Sequence, residues 1–103
     1  MKNWYNEEYS FKITVVSVGV NDKPENCRNG HEVGDAFSCE YGCPSGFCSK
    51  SMAKLFPLME AVRAGGDLSN LLAGATKHYG EFICPDGVVI FKVNAKSNEE
   101  KES

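Results

Sequence analysis

Residues 11–18, FKITVVSV, carry a clear alternation. Phe11, Ile13, Val15 and Ser17 fall on one side, and Lys12, Thr14, Val16 and Val18 on the other. The density of β-branched residues predicts a strand, since such side chains pack well on a pleated surface. Apolar residues on both sides predict that the strand is covered on both faces for part of its length. A second alternation runs over residues 87–93, where Val89, Phe91 and Val93 interleave with Val88, Ile90 and Lys92. Together with residues 81–84 and the intervening Pro85-Asp86-Gly87, it predicts a hairpin, Asp-Gly being a strong turn signal. Residues 36–40, AFSCE, predict a short strand entered through a turn at Gly34-Asp35.

One long stretch, residues 46–66, has helical period. Met52, Leu55, Phe56, Met59 and Val62 recur at the spacing of a single buried face. Ser49 or Ser51 is the expected cap, and Gly65-Gly66 the expected left-handed end. An interior proline, Pro57, costs a helix about 3 kcal/mol by losing an N–H bond and crowding a carbonyl. The apolar face stays in phase across it, which predicts one bent helix instead of two. Residues 67–73, DLSNLLA, predict a short helix capped by Asp67, with Leu68, Leu71 and Leu72 on its apolar side. The fold class expected is therefore α+β: a small, mostly antiparallel sheet with one main bent helix and a short second helix packed on one face. The body is expected over residues 11–94. An N-terminal arm, 1–10, carries Trp4, Tyr5 and Tyr9, and the charged tail, 95–103, is expected to be disordered.

Composition narrows the functional classes. A chain of 103 residues suits one domain, and 42% apolar with 24% charged residues suits an ordinary globule. The net charge of −3, with lysines and arginines scattered, argues against nucleic acid as a partner. No apolar run approaches the roughly 20 residues of a membrane span. The first ten residues lack the apolar segment of a secretory leader, so the expected location is cytoplasmic, where thiols stay reduced. Five cysteines, an odd number, leave metal binding, reactive thiols or plain burial as their uses.

Cys27 opens C-R-N-G-H, with His31 four residues on, a spacing that can chelate one metal ion from a turn-rich loop. Cys39 falls inside a strand and reads as core. Cys43 precedes a proline in a loop. Cys48 stands at the mouth of the long helix, where backbone N–H groups and the positive dipole end favour a thiolate. Cys84 lies at the tip of the last hairpin.

These pieces, CRNGHEVGD (27–35), Cys48 with LFP (55–57) and Gly65-Gly66, and CPDG (84–87), occur in this order across most of residues 11–93. In this the chain resembles a family of short bacterial and archaeal proteins with no assigned activity. That family is marked by C-x-x-G-H-x-x-G-D, a helix-leading cysteine with L-[FY]-P and a Gly-Gly end, and a late C-P-D. The family commonly places proline after the helix-leading cysteine; here Ser49 follows Cys48 and a Cys-Pro occurs instead at Cys43-Pro44, so both Cys43 and Cys48 are candidates for the equivalent, the spacing to LFP favouring Cys48. The resemblance implies a similar fold and marks Cys27, His31, Cys48 and Cys84 as a shared polar set. It supplies no function.

Three functional readings follow. In the first, Cys27, His31, Cys48 and Cys84 form a Cys3His shell for zinc or iron. In the second, Cys48 is the nucleophile of a thiol enzyme or redox protein, with His31 as base, Asp35 or Asp86 as orienter and Cys27 or Cys84 as resolving thiol. In the third, the chain is a non-catalytic binding or assembly module in which the cysteines are small buried hydrophobes; uncovered sheet surface and the Trp4-Tyr5 arm would then serve a homodimer. Lys54 and Arg63, on the polar helix face, are candidates to line a small-anion pocket. His78-Tyr79 reads as surface, and Gly65-Gly66 lacks a phosphate-loop pattern.

Overall fold

The computed structural model describes residues 9–40 and 43–97. Four strands, β1 (Tyr9–Val18), β2 (Ala36–Cys39), β3 (Tyr79–Ile83) and β4 (Val89–Ser97), form one antiparallel sheet in the order β2-β1-β4-β3. One helix, α1 (Ser49–Arg63), supplies the second layer. The fold is thus a small α+β unit. The second helix expected at 67–73 is a single 3-10 turn, Leu68–Asn70, with the Asp67 side chain accepting from the Ser69 N–H at 2.9 Å as a cap. Leu68 is buried beneath it, while Leu71 is 55% exposed. Leu72, just past the turn, is partly buried against the core.

β1 begins two residues before the expected body and β4 continues through Ser97, because Tyr9 to Phe11 pair with Ala95 to Ser97. Trp4, Tyr5 and most of the expected tail lie outside the described residues. Phe11, Ile13 and Val15 face the core as the alternation requires. Between Val15 and Ser17 the register with β4 slips by one residue. That bulge takes up Val16 and reverses the alternation, so that Val18, and not Ser17, turns inward. Val16 is exposed, and the expectation of cover on both faces of β1 is corrected: the core lies on one face only.

Ser51, Leu55, Met59 and Val62 form the buried stripe of α1, with Met52 and Phe56 half-buried at its flank. The stripe meets Phe11, Ile13, Val15, Phe82, Phe91 and Val93 of the sheet in a single apolar cluster. The helix runs unbroken through Pro57. Both Pro57 and Ala53, whose carbonyl loses its partner to the proline, are exposed, so water can satisfy that oxygen. At the far end Gly66 donates to the Ala61 carbonyl at 2.7 Å, and a Cβ on Gly66 would lie 2.7 Å from that same oxygen. Only glycine lets the chain turn this close. The cap is not a serine: Cys48 holds the N-cap position, without a side-chain capping bond, and Ser51 is buried.

Candidate functional site

β1 and β3 finish, and β4 starts, at one end of the sheet. Three segments meet there: the loop around Cys27, the first turn of α1, and the turn between β3 and β4. Asn26 pins the first of these by donating to the Val18 and Val20 carbonyls at 3.0 and 2.9 Å. Asp86 ties all three together. Its carboxylate accepts from Lys50 Nζ at 2.8 Å, on the first turn of α1, and meets Arg28 Nε at 3.5 Å. Lys50, through its hydrogen bond and then its charge, with Arg28 beside it, holds the Asp86 carboxyl below the usual carboxylate range.

Between these segments lies a narrow cleft lined by Cys27, Cys48 and Cys84, with Arg28, Lys50 and Asp86 also on its wall. Its free volume is about 20 Å³. A cavity needs roughly 10–15 Å³ to admit one water, so the inner part of the cleft has room for about one or two waters.

Two of the three cysteines sit on the same kind of turn. In Cys27-Arg28-Asn29-Gly30 the Gly30 N–H donates to the Cys27 carbonyl at 3.0 Å; in Cys84-Pro85-Asp86-Gly87 the Gly87 N–H donates to the Cys84 carbonyl at 2.8 Å. Gly30 and Gly87 both have positive φ, 73° and 77°, which only glycine adopts freely. Beyond the second turn the backbone curls over the sulfur. Cys84 Sγ accepts from the Val88 N–H at 3.4 Å and the Val89 N–H at 3.3 Å. Burial pushes the Cys84 thiol up, but the N–H groups of Val89, Val88, Asp86 and Gly87 together outweigh it and hold the thiol below its ordinary value. Cys39 and Cys43 go the other way. Burial, chiefly, pushes both up, and the neighbouring Cys48 adds to this for Cys43.

His31 lies behind the cleft. Its ring is packed among Phe37, Phe47 and Phe91, with centroids 5.3, 5.8 and 5.7 Å away. Nε2 receives the Cys48 backbone N–H at 3.3 Å and faces Asn29 Nδ2 at 3.4 Å. Two donors on Nε2 place the imidazole proton on Nδ1, which faces Asp35 Oδ2 at 3.9 Å. Burial lowers the His31 pKa, and the Asp35 charge offsets only part of that. His31 is therefore a neutral ring that fixes the start of α1. Asp35 braces the turn before β2, accepting from the Glu32 N–H at 2.9 Å.

The structure thus brings together Cys27, Cys48 and Cys84 from distant parts of the chain and leaves His31 engaged with the Cys48 backbone. The expected four-donor metal shell is not assembled: among the described residues no three His, Cys, Asp or Glu side chains are placed to hold one ion. Cys39 is core, donating to Met59 Sδ at 3.6 Å. Arg63 is structural: its guanidinium lies over the Phe11 ring and donates to the Glu40 carbonyl and to Glu60. Sequence reasoning misses Arg28, the tie made by Asp86 and the N–H groups around Cys84, and the spacing C-x-x-G does not single them out, since it also occurs at residues 39–42 and 43–46. Among the described residues no helix is long and apolar enough to cross a membrane. Searches against family models, curated proteins and solved structures found no match for this chain.

Proposed function

We propose that this protein is a thiol-based redox protein whose reactive sulfur is Cys84, with Cys27 and Cys48 as the thiols that pair with it. The observation that carries the reading is the shared cleft: three cysteines, contributed by a loop, a helix start and a hairpin turn, line one space of a few atoms. A redox-active cysteine is typically a stabilised thiolate beside a resolving thiol. Cys84 has the stabilisation, in the form of backbone N–H groups aimed at its sulfur, and Cys27 and Cys48 are its neighbours on the cleft wall. The nucleophile moves from Cys48 to Cys84 in this reading because the contact of His31 with Cys48 runs through the backbone N–H. A purely structural use of the cysteines as buried hydrophobes would not require three of them on one cleft.

The test is oxidation of the reduced protein with diamide, followed by mapping of the disulfides. The expected product joins Cys84 to Cys27 or to Cys48. A Cys84 that stays unpaired while the exposed Cys43 is oxidised would overturn the reading. A second reading, a soft metal ion held by the same three sulfurs, is favoured by the ion-sized volume but needs the side chains to swing inward. Stoichiometric zinc or iron in protein purified without chelator, lost in Cys84→Ser, would support it instead.

A further inference from the structure

We propose that the open face of the sheet docks an extended acidic segment of a partner protein, with acidic side chains at alternate positions and an apolar residue next in the same alternation. The proposal does not depend on the thiol reading. α1 covers one face of the sheet, and the outward side chains of the other face are exposed or half-buried. On that open face three lysines follow the seam between β1 and β4, the two central strands. Lys12 stands opposite Asn94, while Lys92 and Lys96 lie two residues before and after Asn94 on β4. Lys12 is therefore a diagonal neighbour of both, at about 7–8 Å. Two acids flank the seam: Glu81 on β3, opposite Lys92, and Glu40 just beyond β2, which accepts from the Ser10 hydroxyl at 3.4 Å. Among the described residues none of the three lysines makes an ion pair, with these acids or any other. In a chain of net charge −3, three unpaired cations along one seam are a segregated charge.

Charge and spacing together select the occupant. Like charges this close repel one another on the bare face, and an anionic partner removes that repulsion. An extended segment rises about 3.4 Å per residue, so its alternate side chains recur every ~6.8 Å, the same repeat that separates Lys92, Asn94 and Lys96 along β4. A segment laid along the seam thus brings carboxylates at every second residue into step with Lys92, Lys12 and Lys96. One step past Lys92 the outward residues become apolar: Ile90 stands opposite Ile83, with Val16 in the bulge beside them. Ile83 is 41% and Val16 37% exposed, which places an apolar side chain of the segment there. Two hollows on this face share Lys12 and Asn94, one reaching Ser38 and the other Tyr79, and these polar side chains supply hydrogen-bonding groups for the segment's backbone. Both hollows are open to solvent, which suits a chain lying across them more than a small molecule, whose sites are concave and enclosing.

The experiment titrates the isotope-labelled full chain with the synthetic peptide Leu-Ser-Glu-Ser-Glu-Ser-Glu-Ser-Leu, which reads the same in both directions, and follows backbone amide shifts by NMR. At low salt the peptide is expected to bind saturably, with shifts centred on Lys12, Lys92, Asn94 and Lys96. A peptide of the same composition with its three glutamates consecutive is expected to bind at least about threefold more weakly, because only alternate side chains of an extended chain face the seam. Lys12→Glu is expected to weaken binding at least about tenfold; Lys23→Glu, the same charge change on the exposed loop before Cys27, is expected to weaken it less than about twofold. Equal losses in the two variants would show attraction by net charge alone and overturn the site. Absence of saturable binding, equal affinity for the two peptides, or shifts centred on Arg28 and Lys50 would overturn it as well. A single-stranded oligonucleotide or inorganic triphosphate of equal charge that binds more tightly than the alternating peptide would overturn the assignment of an acidic segment. The peptide comparison and the shift map use the unmodified chain, so they decide the question even where a variant folds poorly.

Discussion

Cys39 and Cys84 stand at opposite ends of the molecule's chemistry. Each closes a strand, Cys39 ending β2 and Cys84 following β3, and each is buried, 3% and 7% exposed. Cys39 looks into the apolar cluster, where its sulfur finds Met59 Sδ, and its thiol is pushed up. Cys84 looks into a curl of backbone, where two N–H groups point at its sulfur, and its thiol is pushed down. Burial is common to both, so burial alone does not decide whether a cysteine is inert. The decision lies with the dipoles around the sulfur: apolar neighbours disfavour the charged form, and several aimed N–H groups favour it.

The sharpest way to break this comparison is kinetic. With a small thiol reagent such as methyl methanethiosulfonate at neutral pH, Cys84 is expected to react at least about tenfold faster than Cys39. Mass mapping of early time points gives both rates in one sample, and equal rates would end the distinction. The next largest difference is in stability. Cys39→Ser places a hydroxyl among apolar neighbours and is expected to cost about 1–3 kcal/mol in urea unfolding. Cys84→Ser offers its hydroxyl to the Val88 and Val89 N–H groups and is expected to cost less than about 1 kcal/mol. The reverse order would show that the N–H groups matter less than packing.

How much of this was legible beforehand differs between the two residues. Cys39 reads as core from the short AFSC alternation, and the structure agrees. The strands β1 and β4 are legible for the same reason: every second residue must be apolar if one face is to be buried. The bulge at Val16 is not, because the slip that turns Val18 inward depends on pairing with β4. The start of α1 at Cys48 was legible, but its cap was not: the serine-cap argument concerns single residues, whereas His31 and Asn29 fix the Cys48 end from another segment. Cys84 could be placed at a hairpin tip, yet its environment is made of backbone N–H groups, whose direction no side-chain pattern records. The convergence of Cys27, Cys48 and Cys84 on one cleft was expected, and so was their sharing it with an imidazole; the latter fails because the aromatic box of Phe37, Phe47 and Phe91 holds His31 aside.

Two finer predictions follow from proton linkage. The folded-state value of Cys84 is lowered from about 9.0, so in the window below that pH the unfolded chain binds a proton that the folded one has released. Stability from this residue therefore grows as pH rises toward 9.0 and is lost as pH falls through the lowered folded value. Cys39, raised from 9.0, does the opposite: above that pH the unfolded thiol ionises first, and stability falls. Urea midpoints measured across the alkaline range should show slopes that change in opposite senses in Cys84→Ala and Cys39→Ala; slopes changing together would contradict the assignment. On the acid side His31, lowered from 6.5, stays neutral in the folded chain while the unfolded ring takes up a proton. Stability is expected to fall as pH drops below 6.5 and to level off below the folded value, and His31→Phe should remove that decline. The smallest expected effect is at the rim. Asp86→Asn breaks two partly exposed ion pairs and should lower the urea midpoint only slightly, the loss vanishing at high salt. A loss as large as that of Cys39→Ser, persisting at high salt, would mean that these charges hold the three segments together, and not only decorate the opening.

The sheet is long in the middle and short at its borders: β1 and β4 run ten and nine residues, while the outer strands β2 and β3 run four and five. A stray chain that approaches sideways meets only a few rungs of free amide and carbonyl before the backbone turns away. Templated growth into fibrils needs a longer ledge than that. The same economy of outline that frames the cleft end thus also guards the protein against recruiting copies of itself through its flanks.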